Sequence, residues 1–282
     1  MKRASMLRRG AAPFDKFLFD AGGVAVSTPP LAERVQGQDV KRRRMQHQRA
    51  SPSRMETKTG GLDPKLGNNP LRLILVGHNP SDHAWKSGHY YSNPSNRMFK
   101  ILKETKIAPD VVKGAEDDGL LQSLAGVGFI DVGTGFPGTD SSKFTSEDFV
   151  KWSKNFYRNL QDHLDNANAT IGCTCGHCGA PAMVAFTGKR QYLELLNVNH
   201  GMDKPKPKRK TKVSLGPQDV ALLPDGWPFP ATTSVWVMTS TSGASALTNT
   251  DRIAPYKELA FELQKIPWPR NHDELRKCKQ AA

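Results

Sequence analysis

The sequence predicts an α/β protein of three layers, an α/β/α sandwich with helices on both faces of a central, mostly parallel four-stranded sheet. Two observations carry this. Short apolar runs alternate along the chain with stretches whose apolar residues recur every three or four positions. Strands that alternate with helices pair in parallel and are covered on both faces. A third observation narrows the class: no apolar run approaches the ~20 residues a membrane helix needs, so the runs must be buried against one another.

The first strand is read at 71–76, a six-residue apolar run broken only by Arg72, and it ends abruptly at Gly77-His78-Asn79-Pro80-Ser81. Residues 96–106 carry Met98, Phe99, Ile101 and Leu102, a spacing that suits a helix packed on a sheet. A second strand follows at 126–132, then a Gly/Pro-rich loop to about residue 142. Ser146 is expected to cap the next helix, with Glu147 and Asp148 in its first turn. That helix places Phe149, Trp152, Phe156, Leu160 and Leu164 on one face. The third strand is 182–188, and the helix after it contains Tyr192, Leu195 and Leu196. The fourth strand, 234–239, runs into the small polar loop 240–246, and a last helix spans about 253–266. Ligands of such sheets bind beyond the carboxyl ends of strands. The Asn79 turn and the 240–246 loop both follow strand ends, so they are expected to line one cleft.

Charge and composition set the domain boundaries. The chain has 282 residues, 37% apolar, with a net charge of +13. Residues 1–70 hold fourteen Lys/Arg against six Asp/Glu, and 204–212 add six more basic residues, which leaves the remainder almost neutral. Residues 1–65 are therefore read as a basic, mostly disordered arm, 66–268 as the folded domain with a basic Lys/Pro loop at 199–213, and 269–282 as a polar tail. Basic arms attract polyanions without reading their sequence, in a salt-dependent way. Lys41-Arg42-Arg43-Arg44 and the 204–212 run have the composition of nuclear-import patches, and the nucleus is the expected location. The Arg-rich start, free of acids until Asp15, makes an organelle transit peptide the second choice.

Three of the four cysteines fall in Cys173-Thr174-Cys175-Gly176-His177-Cys178. They offer three zinc ligands, with His177, His163 or His200 for a fourth. The second pair of a C-x-x-C…C-x-x-C pattern is missing, so the expectation is a reduced loop without metal.

The Gly-X-Asn-Pro turn holds a polar amide rigidly at the end of a strand. The cluster Tyr90-Tyr91-Ser92-Asn93-Pro94-Ser95-Asn96-Arg97 places an aromatic face beside it. An amide next to an aromatic shelf suits a flat heterocycle and a positioned water. Asn-Pro is also a common structural turn, and the turn alone decides nothing.

Six blocks in order decide more: 76–81, 92–97, 126–131, 184–189 (Val-Ala-Phe-Thr-Gly-Lys), Gly216-Pro217-Gln218 and 237–243 (Val-Met-Thr-Ser-Thr-Ser-Gly). Together they resemble the mismatch-specific uracil/thymine DNA glycosylases of the uracil-DNA glycosylase superfamily, over roughly 66–268. The resemblance implies that fold and a monofunctional glycosylase without cofactor. Its partner would be double-stranded DNA carrying a mismatched or damaged pyrimidine, bound by a monomer. It implies that Asn79 holds the attacking water and that Gly77, His78, Pro80, Tyr91 and Asn96 bind the base, with Tyr91 stacking on it. Ser242, Gly243, Ala244 and Ser245 would form the loop that wedges into the duplex. Two positions depart from the pattern. His78 stands where the family has Ile, and a partly exposed ring without a chemical role is expected there. Ala244 stands where relatives carry Leu or Arg, and Ala cannot fill a vacated base stack. A non-catalytic DNA-binding or chromatin-binding protein on the same fold is the alternative.

Overall fold

The computed structural model describes residues 60–199 and 213–276. The basic arm up to residue 59, most of the Lys/Pro loop with His200, the residues after 276 and both import-like patches lie outside them. Four parallel strands form the sheet: β1 (Leu73–Gly77), β2 (Val127–Asp131), β3 (Met183–Phe186) and β5 (Ser234–Val237). A two-residue strand, β4 (Gly216–Pro217), adds an antiparallel edge, giving the order β2-β1-β3-β5-β4. The four-stranded expectation is thus corrected to five. A Gly-Pro pair has no periodicity to read, and proline is tolerated in a sheet only at such an edge.

Side chains alternate across the sheet because successive residues of a strand face opposite sides. Leu73, Leu75, Phe129, Met183, Ala185 and Trp236 face one layer, packed with α2 (Met98–Glu104), α3 (Leu121–Ala125) and α6 (Asn249–Gln264). Ile74, Val76, Ile130, Val184, Phe186 and Val235 face the other, against α4 (Ser146–Thr170) and α5 (Lys189–Leu196). All five apolar residues read on one face of α4 are buried. Its cap is Thr145, one residue before the expected Ser146, in a reciprocal capping box with Asp148. Three short helices escaped the sequence reading: α1 (Asp82–Ser87), α3 and α7 (His272–Arg276).

The described fold begins before residue 66. Leu62 is buried in the core, and Lys65 bridges to Phe129 through two backbone hydrogen bonds. Arg270, beyond residue 268, donates to the carbonyls of Leu71 and Ala180.

The chain runs from β1 to β2 on one side, then crosses to β3 on the other. Such a reversal opens a crevice at the carboxyl ends of the strands. Phe129 supports its floor: fully buried, it stacks on Tyr90 at 5.5 Å and meets Tyr91 edge-on at 5.8 Å. Truncation of Phe129 to alanine is expected to cost about 3–5 kcal/mol in urea unfolding, and a cost below 1 kcal/mol would show that the floor is not close-packed.

Candidate active site

A cavity of about 370 Å³ opens at that crevice, within the size range of small-ligand sites. Asn79 and Tyr91 both line it, as do His78, Pro80 and Asn96. Ser242, Gly243 and Ala244 form part of its rim. Gly77 and Ser245 do not line it. Gly77 lies beneath the wall, and Ser245 faces an adjoining groove with Arg97, Lys100 and Leu247.

The Asn79 carboxamide is fixed at both ends. Its Nδ2 donates to the carbonyls of Pro80 (3.0 Å), Phe136 (3.0 Å) and Gly138 (2.9 Å). Three acceptors around the nitrogen settle which end of the amide is which. Oδ1 is therefore the acceptor of the 2.7 Å hydrogen bond to His78 Nδ1, and His78 carries its proton on Nδ1. The His78 ring sits among Phe144, Phe149 and Trp152, and its Nε2 is buried without a partner. Burial, with Arg190 nearby, outweighs the Asn79 hydrogen bond and lowers its pKa to about 4. His78 is partly exposed, as expected, but its ring is not idle: it is a neutral donor that orients Asn79. A second lone pair of Asn79 Oδ1 is left to accept from a water.

Tyr91 is held by its neighbours. A buried carboxylate, Asp118, accepts from the Tyr90 backbone N–H at 2.7 Å, bonds the His89 ring at 3.0 Å and pairs with Lys65 at 2.5 Å. This anchors the segment and leaves Tyr91 at φ +55°, a left-handed conformation unusual for a bulky residue and typical of strained functional sites. The Tyr91 hydroxyl meets Thr187 Oγ1 at 3.2 Å. Burial first, then the nearby Asp131, keeps its phenol protonated. Asn96 is partly committed elsewhere: its Oδ1 accepts from the Met98 backbone N–H at the start of α2.

The 240–246 loop is stitched down on both sides. Arg97 N–H donates to Thr241 O, and Arg252 donates to Ser245 O. Leu247, three residues beyond Ala244, is 40% exposed.

Asp131 is the site residue that sequence reading missed. It ends β2, is only 3% exposed and lines the cavity. Its carboxyl occupies the space a Gly77 side chain would take: a Cβ there would lie 1.9 Å from Asp131 Oδ1 and 2.9 Å from the Tyr91 hydroxyl. Gly77 is thus required by close approach. The only sequence signal was an acid closing an otherwise apolar strand. Burial raises its pKa to about 7.

A model of the uracil DNA glycosylase superfamily matches residues 64–264. The chain belongs to the uracil DNA glycosylase superfamily. It is accordingly a DNA glycosylase by family, a hydrolase of the repair class that acts on DNA. The match covers the whole sheet and every residue that lines the cavity except Leu62.

The Asp131 shift has a measurable consequence. Above about pH 7 the folded carboxyl is ionised where burial disfavours charge, and the full cost to stability is present. As pH falls through 7 the folded form takes up its proton first, and the cost shrinks until the unfolded chain also protonates near 3.8. Asp131→Asn is expected to be more stable than wild type by on the order of 4 kcal/mol at pH 8, with the gap closing toward pH 4 in urea unfolding. A gap that does not change with pH would contradict this.

Proposed function

We propose that the protein is a monofunctional, mismatch-directed glycosylase that excises uracil or thymine opposite guanine in duplex DNA. The supporting observation is the Asn79 clamp, which faces the same cavity as the Tyr91 ring. Flipping costs a few kcal/mol, and uracil or thymine mispaired with guanine is the cheaper base to extrude. Tyr91 covers the extruded ring. Asn79 Oδ1 holds a water beneath C1′ of the sugar. An amide takes no proton at neutral pH, so Asn79 positions the water and does not act as a general base. The glycosidic bond lengthens, the base departs with negative charge, and the water closes on the sugar cation, releasing a proton that neutralises the base anion.

Asp131 governs that departure. Its protonated form donates to a carbonyl oxygen of the leaving base, whereas its ionised form opposes the growing negative charge. The adjoining groove, with Arg97, Lys100 and Arg252, suits a phosphate path. Leu247 supplies the apolar side chain that Ala244 lacks for filling the vacated stack. This weakens the alternative of a non-catalytic binder, whose main support is Ala244. The basic runs outside the described residues support action in the nucleus and non-specific phosphate contact.

Incubation with a G·U duplex should yield abasic sites, with strand breaks only after alkali. Asn79→Ala should lower the single-turnover rate at least about 100-fold. No abasic product, or an Asn79→Ala rate equal to wild type, would sink the proposal. With Asp131 protonating near 7, the uracil rate should be about tenfold lower at pH 8 than at pH 6. Asp131→Asn should flatten that profile, and an unchanged slope would remove Asp131 from the reaction.

A further inference from the structure

The loop after β2 supplies two of the three carbonyls on the Asn79 nitrogen, yet little apolar burial holds it. Its residues 139–143 are all exposed. Phe136 and Phe144, on either side of them, both rest on Trp152, at 5.5 Å and 4.8 Å between ring centres. Between these two rings the chain lines the cavity with Gly138, Thr139 and Ser141. Carbonyls that converge on one nitrogen need a fixed backbone. The polar contacts of this strap therefore decide how firmly Asn79 is held.

Other elements fasten the strap at three points. At the β1 turn, Gly138 N–H donates to Pro80 O at 2.9 Å. At α1, the Asp82 carboxylate accepts from the Thr139 N–H at 3.1 Å and from its hydroxyl at 2.9 Å. At α5, Arg190 donates to Ser141 O at 2.6 Å and to Phe144 O. The first two fasteners follow Asn79 directly in sequence. Arg190 comes from the helix after β3 and ties the strap to the other side of the site.

Arginine suits that position. Its guanidinium is planar and always charged, and its fork meets two acceptors at once. Both terminal nitrogens are taken by carbonyls of the strap. The cation lies 5.9 Å from the centre of the Phe149 ring, and that ring meets His78 edge-on at 5.0 Å. Phe144, whose carbonyl Arg190 holds, packs on His78 at 6.0 Å. Arg190 thus reaches both ends of the Asn79 amide. It reaches the nitrogen through the strap carbonyls, and the oxygen through the rings that seat the His78 donor. Burial first, with the Arg190 charge adding to it, keeps that donor neutral.

We propose that Arg190 is a positioning residue of the glycosylase site. By bridging the Ser141 and Phe144 carbonyls it holds the 136–144 strap so that Phe136 O and Gly138 O lock the Asn79 carboxamide. Its effect on rate rests on the reading of Asn79 as the residue that holds the water. The lock itself belongs to the free protein and rests on no substrate.

The first measurement accordingly needs no DNA. In the isotope-labelled full chain, the Asn79 side-chain amide is the NMR signal lost in Asn79→Ala. In wild type it should exchange slowly with water. In Arg190→Ala it should exchange at least about tenfold faster. Arg190→Lys should fall between, because an ammonium does not bridge two carbonyls as a planar fork does. Asp82→Ala, which removes a different fastener, should also speed exchange. Wild-type exchange in Arg190→Ala, or in Arg190→Lys should the alanine variant not fold, would overturn the brace. Single-turnover rates on a G·U duplex test the consequence. Arg190→Ala should lose about tenfold in rate with duplex affinity unchanged, and should lose nothing further in an Asn79→Ala background. An equal loss in both backgrounds would show that Arg190 acts on the DNA itself and would overturn its assignment as a positioning residue. A wild-type protein inactive on the duplex would remove the glycosylase reading, and the exchange measurement would still decide the brace.

Discussion

The Asn79 side chain is the constraint on which the cavity depends. An asparagine at the end of a strand normally samples several rotamers and both amide orientations. Here three backbone carbonyls surround the nitrogen, and a histidine N–H meets the oxygen. The amide is set before any ligand arrives, and under the proposed function it needs no reorganisation at the moment of reaction. The clamp draws on distant chain. Phe136 and Gly138 come from the loop after β2, and the rings that pack His78 come from α4 and the segment before it. The site is therefore only as ordered as the contact between those elements and β1.

Around the clamp, polar groups are held where burial disfavours them. Burial makes Asp131 hard to ionise, His78 is kept neutral, and Tyr91 is held in a left-handed conformation. Each of these costs stability, and the two packed layers of the sheet absorb the cost. The absence of a side chain at Gly77 is what lets Asp131 and Tyr91 converge. The cavity floor thus carries a proton whose presence depends on pH close to neutrality, next to the Tyr91 ring.

Much of the fold was legible in the sequence because burial imposes a period. The four parallel strands are apolar runs, and α4 repeats its apolar residues every three or four positions, so both announce themselves. The shift of the α4 cap from Ser146 to Thr145 reflects two adjacent hydroxyl residues, either of which suits a cap. Strand β4 and helices α1, α3 and α7 are too short to show a period. The motif residues at 79 and 91 were legible as a turn and an aromatic pair. Asp118 and Asp131 were not, because a single carboxylate carries no sign of burial until distant residues close over it. The role of the His78 ring was hidden for the same reason, since its surroundings come from more than sixty positions away. The three cysteines were visible, but the convergence of their sulfurs, all within 4.8 Å of one another, depends on the path of the loop around the end of α4.

The central claim is that one amide and one ring hold water and base on the same sugar. A crystal structure bound to a duplex with 2′-fluoro-deoxyuridine opposite guanine, which resists hydrolysis, tests it most directly. The uracil ring is expected to lie on Tyr91, with a water about 3 Å from Asn79 Oδ1, in line with C1′ opposite the base. A base that remains in the helix, or one that enters the cavity with Asn79 turned away from the sugar, would contradict it.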